Sequence, residues 1–462
     1  MTEKLSADAR RDAAYSIHPY TDLSRHAERG PKIIAKGSGI TVTDEDGNEY
    51  IEGMAGLWCT SFGFGEDELI KAAVQQMRAL PAYHVFNGRS SAPFIGLSEK
   101  LVGLTPTNLT HAFFANSGSE ANDSLVKLIW YANNALGRPA KKKIISRVKG
   151  YHGVTIAAGS LTGIPTNHRD FDLPIAGILH TDCPDYYHDA KDGESEEEFA
   201  SRMAGNLERL ILAEGPKTVA AFIAEPVMGA GGVIVPPDTY FEKIQEVLRR
   251  HEVMLLDDEV ICGFGRTGNL FGCETFNFQP DAMTLAKQLS SGYMPISAVM
   301  LPENMHKALV SESRKIGTFA HGFTYGGHPV SAAVALRTLE LMEEREILGH
   351  VRRVAPAFQA RIASFADHPL VGDTRGVGLI GAVELVAGKA AKRGFDPTGT
   401  VGGHLAARAE AHGLIARNLG DVMAFCPPLI IQEDEIAEMF DRFARALDDT
   451  THWVERENLR AA

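Results

Sequence analysis

The sequence predicts an α/β protein with a large, doubly wound, mostly parallel sheet domain and a smaller α+β domain. Short apolar runs bounded by Gly, Pro or Asp alternate with longer segments of helical period, which is typical of strands joined by crossover helices. The chain has 462 residues, 44% hydrophobic and 23% charged, and single cores stop growing at roughly 250 to 300 residues. We therefore expect a globular protein of two domains.

The strands of the large domain are predicted from six apolar runs. These runs cover residues 110–114, 143–147, 219–224, 253–256, 282–285 and 297–300, and helical periods cover 120–135, 196–214 and 238–250. Helices between strands favour parallel pairing and a sheet covered on both faces. We assign residues 60–325 to this domain and expect the polar stretch 182–198 to be an exposed loop.

The two chain ends are predicted to form the small domain together, as residues 1–59 and 326–462. A hairpin is expected at 40–54, and a long helical pattern covers 330–344. Strands at 376–385 and 422–424 are expected to surround a helix at 402–412.

Charge and cysteine usage exclude several classes of function. The 46 Lys and Arg residues face 59 Asp and Glu, and the resulting net charge of −13 repels phosphate backbones and anionic bilayers, so we expect no nucleic-acid or membrane partner. The five cysteines have neither disulfide nor zinc spacing, and we predict no metal site. Reduced thiols, with no secretory signal in residues 1–12 and no apolar run of about 20 residues, predict a cytoplasmic protein.

A turn suited to an anion follows the first predicted strand of the large domain. Residues 116–120 read Asn-Ser-Gly-Ser-Glu and open a helix, where free backbone N–H groups and the helix dipole favour a phosphate. An ordinary serine N-cap explains the same residues equally simply. By itself, this motif leaves both readings open.

Two charged residues end buried strands. Asp258 closes one apolar run and Lys287 closes another, so both are expected at the carboxyl edge of the sheet, where ligands bind in this class. Loss of hydration at the end of a buried strand pushes a lysine amine towards its neutral, nucleophilic form. Taken singly, the aspartate could cap a turn or bind a metal, and the lysine could extend to solvent.

A dinucleotide fingerprint at Gly263–Gly268 is disfavoured. Three carboxylates, at 257–259, stand directly before it and would oppose a pyrophosphate, and the following residues lack a helical pattern. A nicotinamide-dependent dehydrogenase is therefore a distant alternative.

The joint occurrence of four features predicts a site for pyridoxal 5'-phosphate (PLP). The turn at 116–120 supplies N–H donors for the phosphate, and Tyr151-His152 supplies an aromatic partner for the ring. Asp258 can keep the ring nitrogen protonated, and Lys287 can form a Schiff base with the aldehyde.

These motifs resemble those of the class III aminotransferases of PLP fold type I. The resemblance rests on residues 116–121, 151–153, 225–226, 256–268, 286–287 and 324–329, and it spans about residues 15 to 430. It is strongest to omega-aminotransferases that use pyruvate, such as those acting on beta-alanine, taurine or simple amines.

The resemblance implies roles for the cofactor site. Lys287 would be the Schiff-base lysine and proton carrier, and Asp258 would pair with the pyridinium nitrogen. The other residues implied to bind the cofactor are Gly118, Ser119, Tyr151, His152, Glu225, Val260, Phe323 and Thr324. Phe323 and Thr324 would reach the phosphate of a neighbouring subunit, which implies a homodimer with shared active sites, possibly within a tetramer.

The resemblance also implies a substrate pocket. Tyr20, Trp58 and Phe86 would form its aromatic walls, and Arg417 would pair with a substrate carboxylate. Ala230 stands where ornithine- and GABA-type relatives carry a glutamate that neutralises this arginine, which favours the pyruvate-dependent branch. Gln288 replaces a glycine that relatives often carry after the lysine.

The predicted reaction is transfer of an amino group from a primary amine or omega-amino acid to pyruvate, giving alanine, through a PLP and pyridoxamine phosphate cycle. An aminomutase or racemase could use the same cradle and lysine, but it would retain the amino group. A PLP-binding scaffold without catalysis would show no half-reaction with amines.

Overall fold

A computed structural model describes residues 5–460 of the chain. The strands are β1 (Ile34–Ser38), β2 (Thr41–Asp44), β3 (Glu49–Glu52), β4 (Leu109–Ala115), β5 (Lys143–Arg147), β6 (Ile178–Thr181), β7 (Val219–Ala224), β8 (Met254–Asp258), β9 (Ala282–Leu285), β10 (Ser297–Pro302), β11 (Val371–Val377), β12 (Ile380–Leu385), β13 (Leu414–Ile415), β14 (Arg417–Leu419) and β15 (Val422–Phe425).

The α-helices lie between and around these strands. They are α1 (Ala7–Tyr15), α2 (Leu23–Arg29), α3 (Ala55–Trp58), α4 (Asp67–Ala79), α5 (Ala92–Leu104), α6 (Gly118–Ala135), α7 (Ile156–Leu161), α8 (Tyr186–Asp189), α9 (Glu196–Glu214), α10 (Tyr240–Arg250), α11 (Gly272–Thr275), α12 (Glu303–Ile316), α13 (Pro329–Glu344), α14 (Ile347–Ala363), α15 (Thr400–Ala411) and α16 (Glu433–Arg456). Short 3-10 turns cover Phe86–Gly88, Pro165–Asn167 and Lys287–Ser290.

The large sheet has seven strands in the order β4-β10-β9-β8-β7-β5-β6. Neighbours from β9 to β6 pair in parallel, whereas β10 runs antiparallel to both β9 and β4. Every residue of β7 is buried, as expected for a central strand covered by helices on both faces. The predicted mostly parallel, doubly wound sheet is thus confirmed.

Two smaller sheets of four strands complete the fold. In one, β3 from the beginning of the chain pairs in parallel with β13 from its end, through Leu414 opposite Ile51. The other contains β11, β12, β15 and β14 in that order. Segments from both ends therefore share one sheet, and the domain boundaries at 59/60 and 325/326 stay a prediction.

Two local predictions need correction. Residues 376–385 form parts of two strands, because Gly378, with φ of 59°, turns the chain between β11 and β12. The stretch 182–198 is only partly exposed: it contains α8, and Asp185 is buried with its carboxylate 2.7 Å from Lys149 Nζ. Polar composition misled here because buried ion pairs have the same residue types as solvated loops.

Amphipathic helices supply the core on either side of the large sheet. In α10, Tyr240, Phe241, Ile244, Val247 and Leu248 are buried at helical spacing while the intervening charges face solvent. Within residues 5–460, no helix combines the length and the apolar character needed to cross a bilayer.

Candidate active site

The two predicted catalytic residues lie at the carboxyl edge of adjacent parallel strands. Asp258 is the last residue of β8 and stands in register with Thr284 of β9, and Lys287 follows β9 by two residues. Lys287 has φ of 45°, in the left-handed region that non-glycine residues rarely adopt. The chain thus leaves the sheet sharply at the lysine, and strained backbone of this kind clusters at functional sites.

A cavity of about 330 Å³ lies beyond this edge. It is bordered by loops that follow β4, β5, β7, β8 and β9, as expected for an open α/β sheet. Its wall includes the following residues: Cys59, Asn116, Ser117, Gly118, Ser119, Asn122, Tyr151, His152, Gly153, Glu225, Asp258, Val260, Ile261, Ala286, Lys287, Ser290, Gly292, Met294, Pro295 and Ile296.

The Asp258 carboxylate is buried and held by three donors or partners. Its Oδ2 lies 2.7 Å from His152 Nδ1 and accepts a hydrogen bond from Asn122 Nδ2 at 2.8 Å. Its Oδ1 accepts from the backbone N–H of Val260 at 3.2 Å. Because these contacts fix the carboxylate while it still borders the cavity, it can face a ligand atom without rotating.

Loss of hydration lowers the pKa of Lys287, and the nearby charges of Asp258 and Glu225 oppose that shift. A lower pKa raises the fraction of neutral amine, which is the form that attacks a carbonyl carbon. The site therefore combines an activated amine with a fixed carboxylate on one cavity wall.

The first turn of α6 also borders the cavity. Ser117 caps this 18-residue helix by accepting from Glu120 N–H at 3.2 Å, and Ser119 Oγ accepts from the N–H of Val154 at 3.1 Å. A Cβ on Gly118 would lie 3.1 Å from a methyl group of Val260, so glycine keeps this end of the cavity open. The predicted serine N-cap is confirmed, and the start of α6 borders the cavity, whereas phosphate binding at this turn stays a prediction.

Glu225 and Tyr151 form a second joined pair. The Glu225 carboxylate accepts from Tyr151 N–H at 2.9 Å and from Gly229 N–H at 3.1 Å. Burial raises the pKa of Glu225. Burial, and then hydrogen bonding to Tyr20, raise the pKa of the Tyr151 phenol, which therefore stays neutral at physiological pH.

The three predicted aromatic wall residues lie outside the 330 Å³ cavity. Trp58 is buried in an irregular turn, where Glu52 accepts from Met54 N–H at 3.3 Å and also from Gly56 N–H. Phe86 is exposed, and a Cβ on Gly322 would approach its ring to 3.5 Å. Tyr20 is exposed, and its hydroxyl accepts from Asn167 Nδ2 at 2.6 Å.

Arg417 and Ala230 are half-buried and also lie outside that cavity. Burial lowers the pKa of Arg417, and the neighbouring phenols Tyr151 and Tyr20 partly compensate. Among residues 5–460, no carboxylate lies within 4.0 Å of the Arg417 guanidinium. Arg417 is therefore a half-buried cation with no carboxylate partner in the described part of the chain.

Phe323 and Thr324 do not border the cavity of their own chain. Phe323 is half-buried, with its ring 5.7 Å from that of His321, and Thr324 is exposed. Their predicted contact with the phosphate in a neighbouring subunit stays a prediction.

The structure gives a role to Asn122, which the motifs did not single out, and to Gln288, which was noted only as a departure from the family pattern. Asn122 joins the site through its bonds to Asp258 and to the carbonyl of His152, the latter at 2.8 Å. Its signal was a polar residue on the buried face of α6, one turn after Ser119. Gln288 is fully buried and donates to the carbonyls of Ile261 and Gly263 at 2.9 and 2.8 Å, so it ties the turn after Asp258 to the lysine segment.

The glycine pattern at Gly263–Gly268 forms a structural corner rather than a helix start. Arg266 within it is fully buried and donates to the carbonyls of Leu379 and Pro427 at 2.9 and 2.6 Å. A dinucleotide fingerprint requires a helix that starts at these glycines and binds the pyrophosphate with its free N–H groups. A buried arginine takes the place of that helix start here, so the turn offers no dinucleotide site.

The cavity residues fit PLP. A helix start with small residues suits the phosphate, a fixed carboxylate suits a protonated pyridine nitrogen, and a desolvated amine suits the aldehyde. In addition, His152 Nε2 and Asn122 Oδ1 are buried without a hydrogen-bond partner in the described chain, which is costly unless a ligand or water pairs with them.

This fold with a lysine and aspartate at its sheet edge defines a PLP-dependent enzyme of fold type I. The family model "Aminotransferase class-III" matches residues 23–447, and the chain belongs to this family. Class III aminotransferases use PLP, which confirms the predicted cofactor.

Individual relatives agree with the family. The chain is 49% identical, over 95% of its length and 85% of the relative's, to gamma aminobutyrate transaminase 3, chloroplastic, of Solanum lycopersicum. The omega transaminase of Pseudomonas jessenii, solved in complex with PMP, is 54% identical with a TM-score of 0.96, over 97% of this chain and 99% of that one. A structure titled "Transaminase with L-ala" is 55% identical with a TM-score of 0.90, over 91% of this chain and 100% of that one.

Proposed function

We propose that this aminotransferase moves an amino group from a primary amine or omega-amino acid to pyruvate, releasing alanine. The observation that carries the proposal is Arg417, a half-buried cation next to Tyr151 with no carboxylate within 4.0 Å among residues 5–460. A keto acid carboxylate would supply its missing partner through a charge-assisted pair. The alanine-bound transaminase among the solved relatives supports alanine and pyruvate as one substrate pair.

Each active-site residue has a defined task in this proposal. Lys287 Nζ holds the cofactor covalently and moves a proton to and from the substrate α-carbon. Asp258, fixed by His152 and Asn122, keeps the ring nitrogen protonated. When bound, PLP withdraws electrons from the carbon that loses its proton.

The remaining cavity residues bind and orient. Gly118 and Ser119 would hold the phosphate at the start of α6, and Val260 and Tyr151, which border the same cavity, would bind the ring. Phe323 and Thr324 complete a neighbouring site within a homodimer. Glu225 orients Tyr151 through its backbone N–H.

The donor range follows from the pocket and the relatives. Ala230 offers no charge to neutralise Arg417, so donors with an apolar or cationic end require the arginine side chain to turn away. The curated relative is named for gamma-aminobutyrate, a donor whose carboxylate could instead pair with Arg417. We therefore include GABA among the proposed amino donors, together with beta-alanine, taurine and simple amines. Ala230 is used here only as support for pyruvate as the acceptor.

The test is a donor panel supplied with either pyruvate or 2-oxoglutarate, with alanine and glutamate measured separately. We expect alanine with several donors and little glutamate. Glutamate as the main product would overturn the pyruvate assignment. An amino group retained on the donor, with no alanine formed, would instead indicate an aminomutase or racemase.

A further inference from the structure

The helical hairpin at the start of the chain holds three potential metal ligands that transamination does not use. Asp12 lies on α1, His26 on α2, and His18 in the segment between them. Asp12 Oδ1 lies 2.7 Å from His18 Nε2 and 3.2 Å from His26 Nε2. One ligand atom from each residue lies within 4.8 Å of the other two.

We propose that Asp12, His18 and His26 bind a divalent transition-metal ion, best matched by Zn²⁺. Zinc bonds of about 2.0 to 2.2 Å to nitrogen and oxygen place tetrahedral ligands at least about 3.3 Å apart. The Asp12–His26 separation of 3.2 Å is close to this distance, and the Asp12–His18 separation of 2.7 Å would lengthen by about 0.6 Å when the ion binds. Two imidazoles and one carboxylate are common zinc ligands, and water would take the fourth position. No local sequence pattern indicates such a site, because its three residues are spaced by six and eight positions along the chain.

The surroundings of the cluster favour a cation. The His26 side chain is 7% exposed, whereas those of His18 and Asp12 are 33% and 29% exposed, so the cluster is anchored on one side and open to solvent on the other. The neighbouring arginines have their own partners: Arg11 pairs with Asp8 at 2.9 Å and Arg25 with Asp22 at 3.3 Å. Neither guanidinium lies within 4.0 Å of the Asp12 carboxylate.

A metal here would fix the segment that carries Tyr20. Helices α1 and α2 have nine and seven residues, too few to be stable by themselves. Tyr20 lies between His18 and His26 in sequence, and its hydroxyl contacts Asn167 and Tyr151, which borders the active-site cavity. One ion bound by both helices and their connection would hold this phenol beside the cavity.

A second His and Glu cluster provides a matched comparison. His111, Glu303 and His306 lie near the start of β4 and the end of β10, remote from the carboxyl edge of the sheet. The two imidazoles stack face to face at 3.6 Å with 17° between planes, so their nitrogens point side by side rather than at a common centre. In the helical hairpin, the ring centroids of His18 and His26 lie 4.1 Å apart and the ring planes are tilted by 34°. These two rings are less parallel, so their nitrogens can point more nearly towards one centre.

The first experiment measures Zn²⁺ binding to PLP-loaded enzyme after chelator treatment, by calorimetry and by the visible absorbance of Co²⁺. We expect one ion per chain, and we expect His18→Gln and Asp12→Asn to reduce the Zn²⁺ affinity at least about 100-fold. Mutation of a residue that only hydrogen-bonds to a metal ligand already lowers metal affinity about 10- to 100-fold. His111→Gln is the control and should bind as the wild type does. Absence of binding, or binding lost only in the control, would refute the site.

The second experiment follows tryptic cleavage at Arg25 and Arg29 with and without Zn²⁺. Zinc should slow cleavage in the wild type and in His111→Gln, and leave His18→Gln unaffected. Equal rates with and without zinc in the wild type would show that the ion does not stabilise the hairpin. Unchanged circular dichroism and cofactor absorbance in His18→Gln establish that it is folded, and both measurements are independent of the donor or acceptor used.

Discussion

His152 Nδ1 lies 2.7 Å from Asp258 Oδ2, and both side chains are almost fully buried. The carboxylate would be costly to bury alone, but an imidazole and the Asn122 amide share its Oδ2. This arrangement keeps the charge of Asp258 in place beside the cavity, where a protonated ring nitrogen can pair with it. The fixed carboxylate is the basis for the first prediction.

Asp258→Asn should retain PLP but lose about 1000-fold in kcat, on the order of the 4 kcal/mol expected when a preorganised charge is removed. A neutral amide cannot stabilise the protonated ring nitrogen. The measurement is the single-turnover rate with amine, with cofactor content determined by absorbance.

Asp257→Asn is the matched control for this substitution. Burial, and then the neighbouring Glu259 carboxylate, raise the pKa of Asp257 well above its ordinary value, which favours the acid over the carboxylate. An amide is close in size to that acid and Asp257 does not border the cavity, so the rate should stay close to the wild type. Equal losses in the two variants would show that position 258 has no special role.

Lys287→Ala should abolish turnover and the covalent cofactor link together, because in the proposed function its desolvated amine forms that link. Borohydride treatment followed by mass spectrometry checks the link, and alanine formation checks turnover. Lys307→Ala, a change at an exposed lysine on α12, should alter neither. Turnover near the wild-type rate in Lys287→Ala would remove the central assignment.

The residues at strand ends could be predicted from sequence because apolar runs locate strands, and parallel strands bring their carboxyl ends together. Asp258 and Lys287 were found in this way. His152 and Asp258 are 106 positions apart in sequence, so no local sequence pattern can predict that their side chains are in contact. The family motif could therefore name His152, but only the structure shows that it contacts the aspartate.

Local misreadings have a similar physical origin. The strand β11 has mostly half-buried residues at the edge of its sheet, so its sequence lacks the apolar run that identifies a buried strand. Gln288 had no explanation in sequence terms because its partners are backbone carbonyls, which every residue type carries. Phe86, which is predicted to line the substrate pocket, lies in a short 3-10 turn, where the position of a side chain depends on tertiary packing.

Arg417→Ala should slow the reaction with pyruvate far more than the reaction with a plain amine. The guanidinium supplies the charge for a carboxylate, and a lost charge-assisted hydrogen bond costs about 1.5 to 3 kcal/mol, or roughly 10- to 150-fold. Separate half-reactions with alanine and with an uncharged arylalkylamine measure the two effects. Arg408→Ala on α15 serves as the control, and a uniform loss across both substrates would contradict the role of Arg417 in carboxylate binding.

Gln288→Ala should destabilise the protein and slow catalysis moderately. Removing the amide leaves the buried carbonyls of Ile261 and Gly263 without this donor, at a cost of about 1 to 3 kcal/mol. Urea unfolding measures the stability, and kcat measures the effect on the turn next to Asp258. The exposed Gln279→Ala should cost less, and unchanged stability in Gln288→Ala would show that water replaces the amide.

His188 predicts a pH dependence of stability. Hydrogen bonds to Asp185 at 3.0 Å and the ion pair with Glu384 at 2.8 Å raise its pKa to about 9. A pKa raised above the ordinary value of about 6.5 stabilises the fold fully below that value, and the contribution is lost as pH rises through about 9. His188→Gln should therefore cost about 1 to 2 kcal/mol at about pH 6, after allowance for solvent screening, and much less at about pH 9.5. Urea unfolding at the two pH values gives this difference directly.

His452→Gln, near the end of α16, controls for general effects of histidine loss. A stability penalty for His188→Gln that grows with pH would show that its partners do not favour the charged imidazole.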